Sequence, residues 1–238
     1  MTASHIGTLR EKPLHASLKQ WCSQPGDRFE EPVDGFVIDV VRGDMLIEVQ
    51  TRSFSSMKRK LTTLLGNGHR IRIVHPIAVD KWIVKVDEDG AEIDRRRSPR
   101  HGAPTDVFAE LVSFPDLVPH PGLDLLIVMT NEEELRSHDP NKAWRRKGWV
   151  VQERRLVDIV DTLIIGDAAD LSGLLPPGLP EEWTTADLAR DLGRPRRIAQ
   201  QMAYCLRGCG VAVPVGKHGN AVVYRTADGR AAADVIPT

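Results

Sequence analysis

Apolar and polar positions alternate most regularly in residues 36–50, where two β-branched runs flank Gly43-Asp44. A Gly-Asp pair between such runs suits a two-residue hairpin turn. That turn sets a register in which Arg42 faces Met45, Val41 faces Leu46, Val40 faces Ile47 and Asp39 faces Glu48. Side chains alternate along a strand, so Ile38, Val40, Ile47 and Val49 share one wholly apolar face. The other face carries Val37, Asp39, Val41, Leu46, Glu48 and Gln50. Upstream, Leu14, Leu18, Trp21 and Cys22 recur at helical spacing and predict a helix over residues 7–23, with Pro13 in its first turn. Downstream, Met57, Leu61, Leu64 and Leu65 predict a helix over 56–65 that stops at Gly66-Asn67-Gly68. Residues 70–78 then read as a strand. The leading order is helix, hairpin, helix, strand.

The middle of the chain is less regular. Residues 81–94 read as a projecting hairpin turning at Asp87-Glu88-Asp89-Gly90, and 95–100 as a basic, mobile loop. Residues 105–114 read as helical, 123–129 as a short apolar strand, 132–136 as a polar helical turn, and 149–160 as a strand or two. The Trp144-Arg145-Arg146-Lys147 run before that last segment is of a kind that stacks on bases or lines a positive groove, or that simply packs.

A proline-rich break at 173–180 separates an expected domain at 1–172 from a smaller one at 181–238. Thr184 and Asp187 predict a capped start for a helix over 185–192, and Gly193 makes the following turn. A second helix starts at Pro195 and runs through Ile198, Met202 and Leu206 to Gly208. Residues 211–215 and 221–225 form a hairpin. This is the pattern of a helix-turn-helix with a β-wing, in which the second helix enters the major groove and the wing touches phosphates. Arg194, Arg196 and Arg197 crowd the start of that helix, Gln200 and Gln201 extend from it, and Lys217 sits in the wing. Residues 181–226 hold seven Lys or Arg and four Asp or Glu, a net charge of +3. A protein-docking or dimerisation module is the alternative use of such a domain.

Composition adds little that contradicts this. The 238 residues suffice for one medium domain and a small one, and the net charge of −1 hides local clusters. Between Arg42 and His75 seven Lys or Arg face only Asp44 and Glu48, so a polyanion partner is compatible with a neutral total. Three cysteines suit a reducing compartment and exclude a disulfide scaffold. Cys205 and Cys209, four apart on a helix, read as small core residues rather than a zinc pair. With no long apolar run and no signal-type N-terminus, the expectation is a cytoplasmic protein without a membrane partner.

The chemistry lies in the hairpin. Directly opposed residues on paired strands have Cβ atoms ~4.5–5.5 Å apart, and like charges there repel. A cation between Asp39 and Glu48 removes that repulsion, and Mg²⁺ prefers one or two carboxylates plus water. The plainer alternative is an acid solvated at a sheet end. Glu11 is either an exposed first-turn acid or a third carboxylate reaching the same face. Lys58, at the basic start of the 56–65 helix, belongs to a solvated face or meets a phosphate near Gln50.

Asp39, eight intervening residues and Glu48-Val49-Gln50 on consecutive strands resemble the PD-(D/E)xK nuclease superfamily, in the variant with glutamine at the last position. A preceding helix with Glu11 and a following helix and strand complete the likeness over residues 7–80. It implies an α/β, restriction-endonuclease-like mixed sheet flanked by helices, with the C-terminal winged helix beside it. It also implies that Asp39 and Glu48 bind Mg²⁺ or Mn²⁺, that Glu11 adds a further contact, and that Gln50 orients water where lysine is usual. Lys58 is the candidate for the missing cation, and Ile38 stands where the motif has proline. The implied activity is metal-dependent DNA hydrolysis in repair or defence, leaning towards an enzyme. The alternatives are an inactive nuclease-fold DNA-binding regulator, or a subunit docking a helicase or another nuclease, alone or as a homodimer.

Overall fold

The computed structural model describes residues 11–227, which divide into two compact units. The first comprises residues up to Arg52, His69–Ala103 and Leu126–Leu163, and the second Ser53–Gly68, Pro104–Leu125 and the chain from Ile164. The chain is mixed α/β with a large mixed sheet. Among the described residues no helix is long and apolar enough to cross a membrane.

In the first unit, α1 (Pro13–Cys22) opens with its proline where a missing N–H costs nothing. Glu11 therefore precedes the helix instead of lying in its first turn, and the predicted turn at 7–10 lies outside the described residues. Leu14 and Leu18 are buried, whereas Trp21 is exposed, so the apolar stripe is narrower than its spacing implied. The strands β1 (Arg28–Val33), β2 (Phe36–Arg42) and β3 (Met45–Val49) follow. The first of these was not predicted. It is an exposed edge strand joined to β2 by Asp34-Gly35, both at positive φ, the conformation of a tight hairpin turn. The predicted β2–β3 register is observed for Arg42–Met45, Val41–Leu46 and Val40–Ile47.

The chain then passes through α2 (Lys58–Gly66) and returns as β4 (Arg70–Val86), parallel to β3. After β5 (Glu92–Arg97) come β6 (Leu123–His138) and β7 (Trp149–Ile165), giving the sheet order β1-β2-β3-β4-β6-β7 with β5 paired to β4. Leu14 and Leu18 pack with Val40, Ile47, Val49, Val74 and Val128 in one core, each such side chain contributing ~1.5–3 kcal/mol.

Two expectations fail here for the same reason. Residues 132–136 are strand, not a helical turn, because their charges find partners on neighbouring strands. Glu132 pairs with Arg154 of β7, Glu133 with Arg95 of β5, and Glu134 with Lys81 of β4 besides Arg136 on its own strand. Likewise β5 runs through Arg97 where a loop was expected, and Arg97 pairs with Asp80.

The second unit centres on Phe54 stacked against Phe114 at 5.6 Å, with Leu61, Leu64, Phe108 and Leu111 fully buried. It contains α2, α3 (Phe108–Leu111), α4 (Ala168–Ser172), β8 (Glu182–Thr184), α5 (Thr185–Leu192), α6 (Arg196–Gly208), β9 (Ala212–His218) and β10 (Ala221–Thr226). The capping box at Thr184 and Asp187 forms as predicted. The three strands pair in the order β8-β10-β9. The proline-rich break does not bound a compact unit, since the C-terminal module leans on residues 104–117. Arg194 pairs with Asp106, Cys209 Sγ lies 3.3 Å from the Pro115 carbonyl, and a Cβ on Gly208 would come 2.8 Å from Pro115.

Candidate functional site

Asp39 stands at a gap in two ladders. The paired rungs of β1 and β2 skip Glu30 and Asp39, and those of β2 and β3 end at Val40 and Ile47. Glu30 adopts a left-handed φ of 52°, which takes it out of the ladder. The predicted Asp39–Glu48 rung is therefore absent from the paired rungs, because the Asp39 side chain takes the hydrogen bond itself. Its Oδ2 accepts the Val49 N–H at 2.8 Å. The same oxygen lies 3.2 Å from Nε2 of His15.

The other ring nitrogen of His15 lies 2.5 Å from Glu11 Oε1. Lys19 Nζ approaches that same Glu11 oxygen at 2.7 Å and Glu30 Oε1 at 2.7 Å. Burial works against a charge on His15, but Asp39 and then Glu11 outweigh it and raise its pKa above the ordinary imidazole value. Burial also pushes the Glu11 carboxyl upward, yet Lys19 and His15 hold it below the ordinary range. With an acid at each ring nitrogen, His15 donates to both only as imidazolium.

Glu48 is buried on β3, beside Ile73 of β4. A carboxylate in that setting is costly unless paired, hydrogen-bonded or bound to a cation. Gln50 follows the strand, and its backbone is clamped. Its N–H donates to the Val74 carbonyl at 2.9 Å, and its carbonyl accepts from His75 Nδ1 at 2.7 Å. The next carbonyl, of Thr51, accepts from Arg154 Nη1 at 3.1 Å, while the same guanidinium makes a bidentate pair with fully buried Glu132. The segment that presents Glu48 and Gln50 is thus tied to both β4 and β7. Lys58 is exposed at the start of α2 in the second unit.

The donor types suit a hard divalent cation: carboxylate oxygens from Asp39 and Glu48, with the His15 imidazole beside Asp39. Among the described residues no group of three or more His, Cys, Asp or Glu side chains is already gathered as a metal site. Asp39 and Glu48 would hold the ion, and His15 would have to release Asp39 to it.

A second cluster lies on the C-terminal module. Arg196, Gln200, Tyr204 and Arg207 follow one another at spacings of four, four and three along α6, on one exposed face. The Arg207 guanidinium sits 5.8 Å over the Tyr204 ring. With Asn220 and Tyr224 these side chains line a cleft of about 350 Å³. Arg197 and Lys217 are exposed, and among the described residues neither they nor Arg196 form an ion pair. Arg194 differs, being only 21% exposed and engaged with Asp106. Gln201 is half-buried. Burial pushes the thiols of Cys205 and Cys209 up to about 12 and about 11, so neither offers a thiolate.

A family model described as a domain of unknown function, DUF8091, matches residues 12–166. The chain belongs to the DUF8091 family. The DUF8091 match takes in His15, Asp39, Glu48 and Gln50, and ends before the C-terminal module. An uncharacterized protein of Treponema pallidum (strain Nichols) is 32% identical over 222 residues, covering 92% of this chain and 87% of that protein. No solved structure matches significantly.

Proposed function

We propose that this DUF8091 protein is a Mg²⁺- or Mn²⁺-dependent DNA nuclease of the PD-(D/E)xK type, directed to its substrate by a winged-helix module. The observation that carries the reading is Asp39 at the break in the β2–β3 ladder, its carboxylate accepting the Val49 N–H between Glu48 and Gln50, with His15 reaching Asp39 from α1. The succession of one helix, three antiparallel strands, a helix and a fourth strand parallel to the third supports a restriction-endonuclease-like core. The order β8-α5-α6-β9-β10 and the exposed Arg196, Arg197 and Lys217 on α6 and the wing support the targeting role.

Asp39 and Glu48 would supply the metal's protein oxygens. When bound, the ion polarises a phosphoryl oxygen, lowers the pKa of water and stabilises the leaving alkoxide. Gln50, fixed by its clamped backbone, orients that water through an uncharged amide. His15 holds a proton at Nε2 against Asp39 and at Nδ1 against Glu11, and so balances their charge when no cation does. Arg196, Arg197, Gln200 and Lys217 hold the nucleic acid through phosphate contacts that weaken with salt.

Purified protein incubated with labelled single- and double-stranded DNA and Mg²⁺ or Mn²⁺ tests this. Cleavage that disappears in Asp39→Ala and Glu48→Ala is the expected result. No cleavage, or cleavage that survives both substitutions, overturns the catalytic reading.

A second reading has its own support: His15 already pairs with Asp39 and Lys19 with Glu11, and glutamine stands where lysine is usual. On that reading the protein binds nucleic acid on a nuclease-like core without hydrolysing it. Salt-dependent binding with no product, indifferent to Asp39→Ala, distinguishes it.

A further inference from the structure

The connection between β6 and β7 is built to hold one aromatic ring out in solvent. Trp144 is 80% exposed, the most exposed large apolar side chain among the described residues. It sits on a single helical turn bracketed by Ala143 and Lys147, both in the left-handed region at φ 51°. Non-glycine residues enter that region at a cost, so the turn is held by its surroundings.

The base of the loop supplies that hold. Asp139 N–H donates to the Gly148 carbonyl at 2.8 Å, and Gly148 N–H to the Ala143 carbonyl at 3.2 Å. Gly148 has φ 82°, and a Cβ there would lie 2.6 Å from His138 Nε2, so only glycine fits. Below it His138 meets Trp149 edge-on at 5.3 Å, and Lys85 caps the Trp149 ring at 5.0 Å. The lower tryptophan packs. The upper one does not.

The residues that follow Trp144 are basic, while Asp139 at the loop base is paired with Lys142. Arg145 lies 5.1 Å over its ring, and among the described residues Arg146 and Lys147 form no ion pair. A bilayer is a poor match, because interfacial binding scales with apolar area and this tip offers one ring. A nucleobase needs one aromatic face, with cations for the adjoining phosphates.

We propose that Trp144 is a stacking finger for an unpaired nucleobase, with Arg145, Arg146 and Lys147 engaging the flanking phosphates. The proposal rests on the reading of nucleic acid as the substrate. It adds a preference for single-stranded or frayed segments that a major-groove helix would not provide.

Fluorescence anisotropy of the full chain with a fluorescein-labelled single-stranded oligonucleotide, and with a blunt duplex, tests it. Wild type is compared with Trp144→Ala, Trp144→Phe and the Arg196→Ala/Arg197→Ala pair, each checked for fold by circular dichroism. Trp144→Ala is expected to weaken single-strand binding about tenfold or more, the scale of one base stack, with less effect on the duplex. Trp144→Phe should retain most of the affinity. Wild type should also lose tryptophan emission on titration to a degree that Trp144→Phe does not. If Trp144→Ala binds as wild type while the arginine pair still matters, the finger is wrong and the nucleic-acid reading stands. If wild type binds no oligonucleotide, both fall. Binding to phosphatidylserine vesicles that Trp144→Ala abolishes, with oligonucleotide binding unmoved, overturns the finger in favour of a membrane contact.

Discussion

Nε2 of His15 and Oδ2 of Asp39 lie 3.2 Å apart, and that same aspartate oxygen also accepts the Val49 N–H. One carboxylate atom therefore serves the backbone and the charge balance together. Replacing the aspartate separates the two duties.

Asp39→Asn keeps an acceptor for the Val49 N–H and removes the charge. Asp39→Ala removes both, leaving a half-buried donor unmet at a cost of ~1–3 kcal/mol. Both variants are expected to lose DNA cleavage, while in urea titrations only the alanine variant loses stability on that scale. Equal stability for the two would mean that the Asp39–Val49 bond contributes nothing.

Arg154 is expected to be among the most sensitive positions for stability. Its partner Glu132 is fully buried, so Arg154→Met strands a carboxylate that, among the described residues, keeps only the Thr130 hydroxyl. Breaking a buried pair from one side costs roughly 3–5 kcal/mol. The urea midpoint measures it, and a loss under ~1 kcal/mol would contradict the predicted role.

Acid stability should depend on Glu134. Burial raises its pKa, but Arg136 and Lys81 outweigh that and hold it below the ordinary glutamate value of 4.5. Its contribution is thus complete above that value and disappears as pH falls through the lowered folded value. Glu134→Gln should be less stable at neutral pH and should flatten the fall in melting temperature below about 4.5. An unchanged acid limb would refute the assignment.

The two kinds of arginine in the C-terminal module should behave differently. Removing Arg196 or Arg197 should reduce the slope of log affinity against log salt by roughly 0.9 for each duplex phosphate no longer neutralised, leaving stability nearly unchanged. Arg194→Ala should instead destabilise, because it removes the part-buried guanidinium that pairs with Asp106. Salt-titrated binding and urea unfolding, run on the same variants, separate the two.

Much of the fold was readable where a residue's neighbours in sequence are also its neighbours in space. The β2–β3 register, the buried stripe of α2 and the Thr184–Asp187 cap are of that kind. What escaped depended on distant partners. Glu132, Glu133 and Glu134 look like a polar turn until Arg154, Arg95 and Lys81 arrive from other strands. The β1 strand carries Glu30, Glu31 and Pro32 at an exposed edge, so its own residues show little alternation, although Asp34-Gly35 was an available hairpin signal.

For the candidate site, Asp39, Glu48 and Gln50 were named from the sequence, and the contacts that hold Asp39 were not. His15 was missed although Glu11, His15 and Lys19 recur every fourth residue. Tyr204 and Arg207 likewise continue the stripe begun by Arg196 and Gln200. A repulsion argument alone could not foresee that a histidine and a backbone amide would satisfy Asp39.

The most direct test is a crystal of the full chain soaked in manganese and measured at the metal's absorption edge. The proposed nuclease predicts an anomalous peak bonded to oxygens of Asp39 and Glu48, with His15 released from Asp39, and no peak in Asp39→Asn. A wild-type site that binds no manganese and keeps His15 against Asp39 would contradict it and leave a protein that grips DNA without cutting.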